Sequence, residues 1–209
     1  MTSVANRRSM MNLYSGSVCI RSHQVRFVLS EKGIVTQINN FDGNKIPEDL
    51  IALNPFATLP TLVDRELVLY DSRVIIEYID ERYPYPPLLP VSPVDRAKIR
   101  LALASLEVDI VQPAVDLDQS MGARTENSQR KKLRSALNAT SDLFSVNKYF
   151  LSEEFTIIDC VLGPILWRLD YFNIKLKNDH KPMLDYMKRV FDRQTFQESL
   201  TEDEEEMHL

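Results

Sequence analysis

The sequence has few of the residues that cross-link a fold or bind a metal. Its 209 residues include two cysteines, Cys19 and Cys160, which lie far apart and form no C-x-x-C pair. A chain of this length and apolar content does not need disulfides, so we expect free thiols in a reducing cytoplasm. The three histidines, His23, His180 and His208, show no spacing to cysteines or acids that is typical of zinc ligands. We therefore expect neither a metal nor a cofactor.

Long apolar runs and a surplus of basic residues are also missing. The longest apolar run extends from Cys160 to Trp167, and no apolar stretch follows the polar N-terminus. A membrane span needs ~20 apolar residues, so we expect no membrane segment and no signal peptide. The 25 Lys and Arg residues face 30 Asp and Glu residues, which gives a net charge of −5. Because contact with phosphates needs an excess of cations, direct sequence-specific binding to nucleic acid is not expected.

The acidity is concentrated at the C-terminus. The segment Glu202–Glu206 holds five acids and no base, so the rest of the chain is close to neutral. This pattern is typical of a solvated helix end or a disordered tail rather than of a specific interaction segment. The basic stretch Arg130–Arg134 is interpreted as a solvated helix face, because it has no interleaved aromatic residues. His23 has no acidic partner that the sequence can assign, and we place it on a helix face.

The first part of the chain alternates strand and helix patterns. The predicted elements are a strand (10–14), a helix (22–32) that ends at Gly33, a strand (34–39), a short helix (47–53), a hairpin (58–70) and a helix that follows Asp71-Ser72. Pro60 must lie at the start of its strand, because it cannot donate a ladder hydrogen bond. The buried face of the last helix is predicted to hold Val74, Ile75, Tyr78 and Ile79. This order of elements predicts an α/β domain.

A proline-rich segment separates this part from the rest. Residues 83–93 hold five prolines in eleven positions, and no helix passes through such a segment. The remainder has helical patterns only, beginning with Ser92 as N-cap and Pro93 at the first helical position, and this first helix is predicted to end at Pro113. We therefore predict two domains, an α/β domain over 1–87 and an all-helical domain over 93–209.

Several short motifs together resemble the glutathione S-transferase fold over nearly the whole chain. In order they are Leu13-Tyr14-Ser15, Val25-Arg26, Glu31-Lys32-Gly33, Asn54-Pro55, Leu59-Pro60-Thr61-Leu62, Asp71-Ser72 and Thr156-x-x-Asp159. Each motif is weak alone, but their order and spacing are specific. The resemblance implies a thioredoxin-like α/β N-terminal domain followed by an all-α C-terminal domain. It also implies that Pro60 is cis and that Thr156 and Asp159 form a structural helix cap.

A second set of motifs resembles the stringent starvation protein A family, which shares that fold. These motifs are Tyr14-Ser15-Gly16, residues 22–26, residues 60–67, residues 80–84 and Val190-Phe191-Asp192-Arg193. Members of this bacterial family act in transcription under starvation and stress, in association with RNA polymerase holoenzyme including its sigma subunit. The resemblance implies a non-enzymatic cytoplasmic regulator that forms a homodimer and acts through protein–protein contacts.

The same resemblance places the partner-binding surface in the proline-rich segment, at Tyr83, Pro84, Tyr85, Pro86 and Pro87. A Pro-x-Pro surface serves transcription activation in that family, and Pro84-Tyr85-Pro86 matches it, although the family often has histidine at position 85 and an aromatic residue at position 92. A rigid segment also loses little entropy on binding, and tyrosines are common at interface centres. The alternative is a domain linker whose tyrosines pack on the core.

The alternative function is a glutathione-dependent transferase or thiol reductase with a ligand pocket. The residues assigned to that pocket are Cys19, Ser22, Leu59, Pro60, Asp71 and Ser72. A thiolate at a helix N-terminus is a nucleophile, and an acid–hydroxyl pair at a helix start recognises the γ-glutamyl group. Asp71-Ser72 is also explained as a helix cap alone. Ala57 and Thr58 stand where many transferases have a Lys or Gln that binds the glycine carboxylate, a loss of ~1.5–3 kcal/mol.

Overall fold

The computed structural model describes residues 10–42, 47–119, 122–176 and 181–208. The chain divides into two compact units. The first runs up to Pro86 and also includes Glu198–Glu205, and the second comprises Pro87–Gln197 together with Glu206–Leu209. The domains predicted from the sequence, 1–87 and 93–209, placed Glu198–Glu205 in the second domain, whereas the structure places this segment in the first unit.

The first unit contains a four-stranded sheet and three helices in its described residues before Pro86. Its elements are β1 (Met11–Gly16), α1 (Ile20–Glu31), β2 (Thr36–Phe41), α2 (Glu48–Leu53), β3 (Thr61–Asp64), β4 (Leu67–Leu69) and α3 (Ser72–Arg82). The strand order is β2-β1-β3-β4, with β1 parallel to β2 and the other pairs antiparallel. This arrangement confirms the predicted thioredoxin-like α/β fold.

The helix ends of this unit follow local sequence signals. Gly33 has a φ of 61°, and its N–H donates to the carbonyl of Ser30, so the chain leaves α1 where the sequence predicted. Pro60 directly precedes β3 and forms a cis peptide bond with Leu59, as the resemblance implied. Only Pro60 lies where the candidate ligand pocket was expected, because β3 begins beside the end of β1, whereas Gly33 precedes the start of β2 at the opposite end of the strands.

The buried face of α3 differs from the prediction. Ile75 and Ile79 are fully buried as expected, but Ile76 is buried with them and Val74 is 51% exposed. Residues at positions i, i+1 and i+4 form one stripe along a helix. That stripe is therefore Ile75, Ile76 and Ile79, and the predicted face was rotated by about one position toward the N-terminus.

The second unit is helical in its described residues. Its elements are α4 (Pro93–Leu106), a π-helical segment (Glu107–Val111), α5 (Gln112–Asp118), α6 (Ala123–Thr140), a 3-10 segment (Ser141–Ser145), α7 (Ile157–Trp167) and α8 (Lys181–Phe191). The chain then forms α9 (Gln194–Ser199), α10 (Glu202–Glu205) and a 3-10 segment (Glu206–His208). Among the described helices, none combines the length and the apolar character that crossing a membrane would require.

Pro113 does not end the first helix of this unit, contrary to the sequence prediction. The helical path continues from α4 through the π-helical segment into α5. Pro113 is the second residue of α5 and follows Gln112, whose N–H donates to the Glu107 carbonyl, so the missing N–H of the proline falls where the π-helical hydrogen bonds give way to α-helical ones. The wider π turn before it accommodates the proline within a continuous helical path.

The predicted helix cap at the start of α7 is confirmed. The Thr156 hydroxyl accepts a hydrogen bond from the N–H of Ile158 (3.2 Å), and Asp159 Oδ2 accepts one from the N–H of Thr156 (2.7 Å). Asp159 Oδ1 also accepts from the Phe150 N–H (3.1 Å) and the Tyr186 hydroxyl (2.7 Å). The Asp159 carboxylate thus ties three separate chain segments together.

Candidate partner surface and ligand cavity

Tyr85 is the most exposed aromatic side chain of the proline-rich segment. It is 82% exposed, and Pro84, Pro86 and Pro87 are exposed beside it, whereas Tyr83 is half-buried. Burial resumes immediately after the segment, at Leu88 and Leu89. Tyr85 therefore does not pack on the core. A linker with core-packed tyrosines would bury this side chain.

Lys32, a residue that sequence reasoning missed, binds the backbone of the turn Tyr83–Pro86, which is called the proline turn below. The Lys32 ammonium donates hydrogen bonds to the carbonyl oxygens of Tyr83 (2.8 Å) and Pro86 (2.5 Å). It also contacts Asp80 Oδ1 at 2.5 Å, and the side chains of Lys32 and Asp80 are 0% and 3% exposed. The signal was present, because Lys32 belongs to the motif Glu31-Lys32-Gly33, but that motif was interpreted only as a helix end and as one of the motifs that resemble the transferase fold.

The ring of Tyr83 is held by a second set of contacts. The guanidinium carbon of Arg82 lies 5.6 Å from the centre of that ring, and Arg82 Nε lies 3.0 Å from Asp64 Oδ2. The Tyr78 hydroxyl donates to the same carboxylate oxygen at 2.6 Å. Burial and this carboxylate raise the pKa of Tyr78, so its hydroxyl stays protonated and remains a donor.

Four of the six residues assigned to the ligand pocket meet at one small cavity. Leu59, Pro60, Asp71 and Ser72 line a space of about 150 Å³, together with Arg21, Tyr70 and Arg73. Asp71 caps α3 by accepting a hydrogen bond from the N–H of Arg73 (2.9 Å), and the Arg73 guanidinium binds its carboxylate at 3.1 and 2.7 Å. These hydrogen bonds lower the pKa of Asp71. The helix-cap interpretation of Asp71 is therefore confirmed.

Cys19 and Ser22 are not among the residues that line this cavity. Cys19 is the half-exposed N-cap residue of α1, and its thiol makes no capping hydrogen bond. Ser22 is buried, and its hydroxyl accepts a hydrogen bond from the N–H of Gly16 at 2.9 Å. A Cβ at Gly16 would lie 2.6 Å from the Cβ of Cys19, so this turn needs a glycine for the close approach. Ser22 thus supports the β1–α1 turn.

The interpretation of the C-terminal acids as solvated is wrong for Glu204. Its carboxylate is fully buried, with Oε2 at 2.6 Å from Arg26 Nη2 and Oε1 at 3.6 Å from Nδ1 of His23. His23, for which the sequence assigned no acidic partner, is thus buried beside an acid, and its Nε2 lies 3.0 Å from the Ser199 hydroxyl. The missed signal is Thr201-x-x-Glu204, a capping-box spacing whose two reciprocal hydrogen bonds are both formed.

Arg26 connects this C-terminal segment to the end of β1. Its Nη1 donates to the Ser15 hydroxyl (2.5 Å) and to the Gly16 carbonyl (3.1 Å), while its Nε donates to the Ser199 carbonyl (2.9 Å). One buried guanidinium therefore organises the turn before Cys19 and fixes the chain end to it.

Comparison with known proteins decides the family. Residues 18–82 match the glutathione S-transferase N-terminal domain and residues 95–189 match its C-terminal domain. The chain is 46% identical to the stringent starvation protein A homolog of Coxiella burnetii over 202 residues, which are 96% of each chain. It is 44% identical to the homolog of Pasteurella multocida, with 96% of this chain and 94% of the relative covered. The chain belongs to the stringent starvation protein A family.

Solved structures confirm the fold of this stringent starvation protein A family member. The tau-class glutathione S-transferase from mango, Mangifera indica, matches with a TM-score of 0.79 at 20% identity and 96% coverage of each chain. Maleyl pyruvate isomerase, a bacterial zeta-class glutathione S-transferase, matches with a TM-score of 0.76 at 24% identity, covering 90% of this chain and 96% of its own. At this identity the likeness concerns the fold alone.

Proposed function

We propose that the chain is a stress-response transcription regulator that binds RNA polymerase holoenzyme, including its sigma subunit, through the segment Tyr83–Pro87. Membership of the stringent starvation protein A family supports the regulatory role. The observation that carries the choice of surface is Tyr85, which is 82% exposed on a turn whose backbone is held by hydrogen bonds at both ends. Specificity for DNA then comes from polymerase and sigma, since the chain itself carries a net charge of −5.

The surface has the properties of an interface centre. Its exposed side chains are three prolines and one tyrosine, none of them charged. Tyrosine is enriched among the residues that contribute most binding energy, because it buries a large area and has few rotatable bonds. A turn that is already fixed loses little conformational entropy when a partner binds. These properties favour a protein partner over a small ligand.

The alternative, a glutathione-dependent enzyme that uses Cys19, has less support. Small-molecule sites usually enclose roughly 300–1,000 Å³, whereas the cavity at Leu59, Pro60, Asp71 and Ser72 encloses about 150 Å³. The Asp71 carboxylate that would bind the γ-glutamyl group is bound by Arg73 instead. We therefore propose a transferase scaffold that is not catalytic.

Glutathione binding and thiol-transfer assays test this non-catalytic scaffold. We expect no retention of the parent chain on immobilised glutathione and no thiol-transfer activity that differs between the parent and Cys19→Ser. Retention of the parent, together with an activity that Cys19→Ser abolishes, would instead establish the enzyme.

The proposed partner surface is tested by a chain that carries both Tyr85→Ala and Pro86→Ala. Loss of the exposed aromatic contact is expected to weaken co-elution with sigma-loaded polymerase at least about tenfold, the range of a residue central to an interface. Tyr171→Ala is the matched control, because Tyr171 is also an exposed tyrosine (57%) but lies outside the segment.

Two results would contradict the proposal. If the parent chain does not co-elute with sigma-loaded polymerase, the regulator does not act through this partner. If the double variant co-elutes as well as the parent, the segment is not the contact.

The family resemblance also predicts a homodimer, and gel filtration at the mass of one 24.2 kDa chain would contradict that prediction.

A further inference from the structure

The three N–H groups of Lys32 meet three oxygen acceptors in the interior of the first unit. An ammonium has three donors and no acceptor, and here the acceptors are Asp80 Oδ1, the Tyr83 carbonyl and the Pro86 carbonyl. The Lys32 side chain is 0% exposed, so no water replaces any of these contacts at the surface. A buried ammonium that lost an acceptor would be costly, and the group therefore resists movement of either carbonyl.

The two carbonyls belong to the first and last residues of the proline turn. Tyr83 directly follows the end of α3, and its N–H donates to the Ile79 carbonyl at 3.0 Å. Between the two anchored carbonyls lie Pro84, which has no N–H, and the exposed Tyr85. The turn is thus fixed at its two ends, while the side chain between them projects into solvent.

We propose that Lys32 is the positioning residue of the partner surface: it fixes the proline turn so that Tyr85 is presented as an uncharged aromatic contact to an apolar recess on the partner protein. The identity of the partner rests on the proposed function, whereas the effect of Lys32 on the turn does not. None of the exposed side chains of the segment is charged, because the Lys32 ammonium is enclosed, and the neighbouring Arg82, which is 34% exposed, is paired with Asp64.

The test needs a chain that folds without the ammonium. Lys32→Met alone would leave the Asp80 carboxylate buried without its cation, which is destabilising. The combination of Lys32→Met and Asp80→Leu removes both charges, and such apolar replacements of buried ion pairs are often neutral for stability. In this chain the two carbonyls of the turn lose their donor while the core stays filled.

Mobility of the turn is the direct readout. A nitroxide label is attached at position 85 through Tyr85→Cys, with Cys19→Ser so that the remaining thiol is the fully buried Cys160. We expect the electron paramagnetic resonance spectrum to show slow motion of the label when Lys32 is present. In the Lys32→Met, Asp80→Leu chain, a component with fast motion should appear. A label attached through Val35→Cys, at a position that is 80% exposed in the same unit, is the control and should not change.

Asp80→Asn separates positioning from stability. This variant removes the buried acid but leaves Lys32 and its two carbonyl acceptors, so it lowers the melting temperature while the turn stays fixed. In the chain that keeps Tyr85, we expect polymerase binding within about threefold of the parent for Asp80→Asn and a loss of at least about tenfold for Lys32→Met with Asp80→Leu. Tyr85→Phe is expected to bind like the parent, because the recess accepts the ring.

Each outcome bears on one claim. An unchanged label at position 85 overturns the positioning role, whether or not polymerase binds. The positioning role is also overturned if polymerase binding falls in proportion to melting temperature across the variants. In that case the pair of Lys32 and Asp80 would affect binding only through the stability of the fold. Loss of binding in Tyr85→Phe overturns the apolar recess. A parent chain that does not bind polymerase overturns the proposed function and leaves the label result to decide the role of Lys32.

Discussion

Replacing Glu204 by glutamine is expected to lower the free energy of unfolding of the first unit by about 3–5 kcal/mol, the cost of removing one partner from a buried ion pair. The Glu204 carboxylate is fully buried and lies 2.6 Å from Arg26 Nη2. Glutamine keeps the size of the side chain and an oxygen that can accept from the Thr201 N–H, so the variant removes chiefly the negative charge. The Arg26 guanidinium, 3% exposed, would then be left in the interior without its counterion.

The neighbouring residue provides the matched control. Glu205 lies in the same short helix α10 and is exposed, so Glu205→Gln should change the free energy of unfolding by no more than about 0.5 kcal/mol. Urea unfolding followed by circular dichroism compares the two variants with the parent. Equal effects for both would mean that the acidic segment is solvated in solution, as its composition alone indicates.

Most of the fold was predictable because its signals are local. Gly33 ends a helix through its own backbone conformation, Asp71 caps the helix that begins one residue later, and Thr156 and Asp159 are three positions apart. Each signal acts within about one helical turn, so sequence spacing is enough to recognise it. The family motifs added Pro60, whose cis conformation no local spacing would have revealed.

The errors concern partners that are distant in the chain. Glu204 and Arg26 are 178 positions apart, and Lys32 and Pro86 are 54 apart, so no pattern in either segment shows that they meet. A charged residue is usually exposed, and the sequence therefore favoured a solvated interpretation for Glu204, while it assigned no contact to Lys32. The candidate pocket was predictable only in part. Asp71 and Ser72 were placed correctly at a helix start by local spacing, whereas the hydrogen bond between Ser22 and Gly16 could be recognised only once the fold was known.

The second large effect is expected at the helix cap of α7, where Asp159→Ala should lower the free energy of unfolding by about 3–5 kcal/mol at pH 7. The Asp159 carboxylate accepts hydrogen bonds from the Phe150 N–H and the Tyr186 hydroxyl, both buried groups that alanine leaves without this acceptor. Each such loss costs about 1–3 kcal/mol, and the cap of Thr156 is lost as well. Asp185→Ala, an exposed acid next to Tyr186, is the control and should be nearly neutral.

The pH dependence of this difference tests which force dominates at Asp159. Burial raises its pKa from 3.8 to about 6, against its hydrogen bonds, which lower it. A carboxyl whose pKa is raised by folding contributes stability that is fully present below its unfolded pKa and is lost as the pH rises through about 6. The gap between the parent and Asp159→Ala should therefore widen from pH 7 to pH 4, by at most about 1.4 kcal/mol per pH unit. A gap that narrows instead would show that the donors from Thr156, Phe150 and Tyr186 outweigh desolvation and hold the carboxylate ionised.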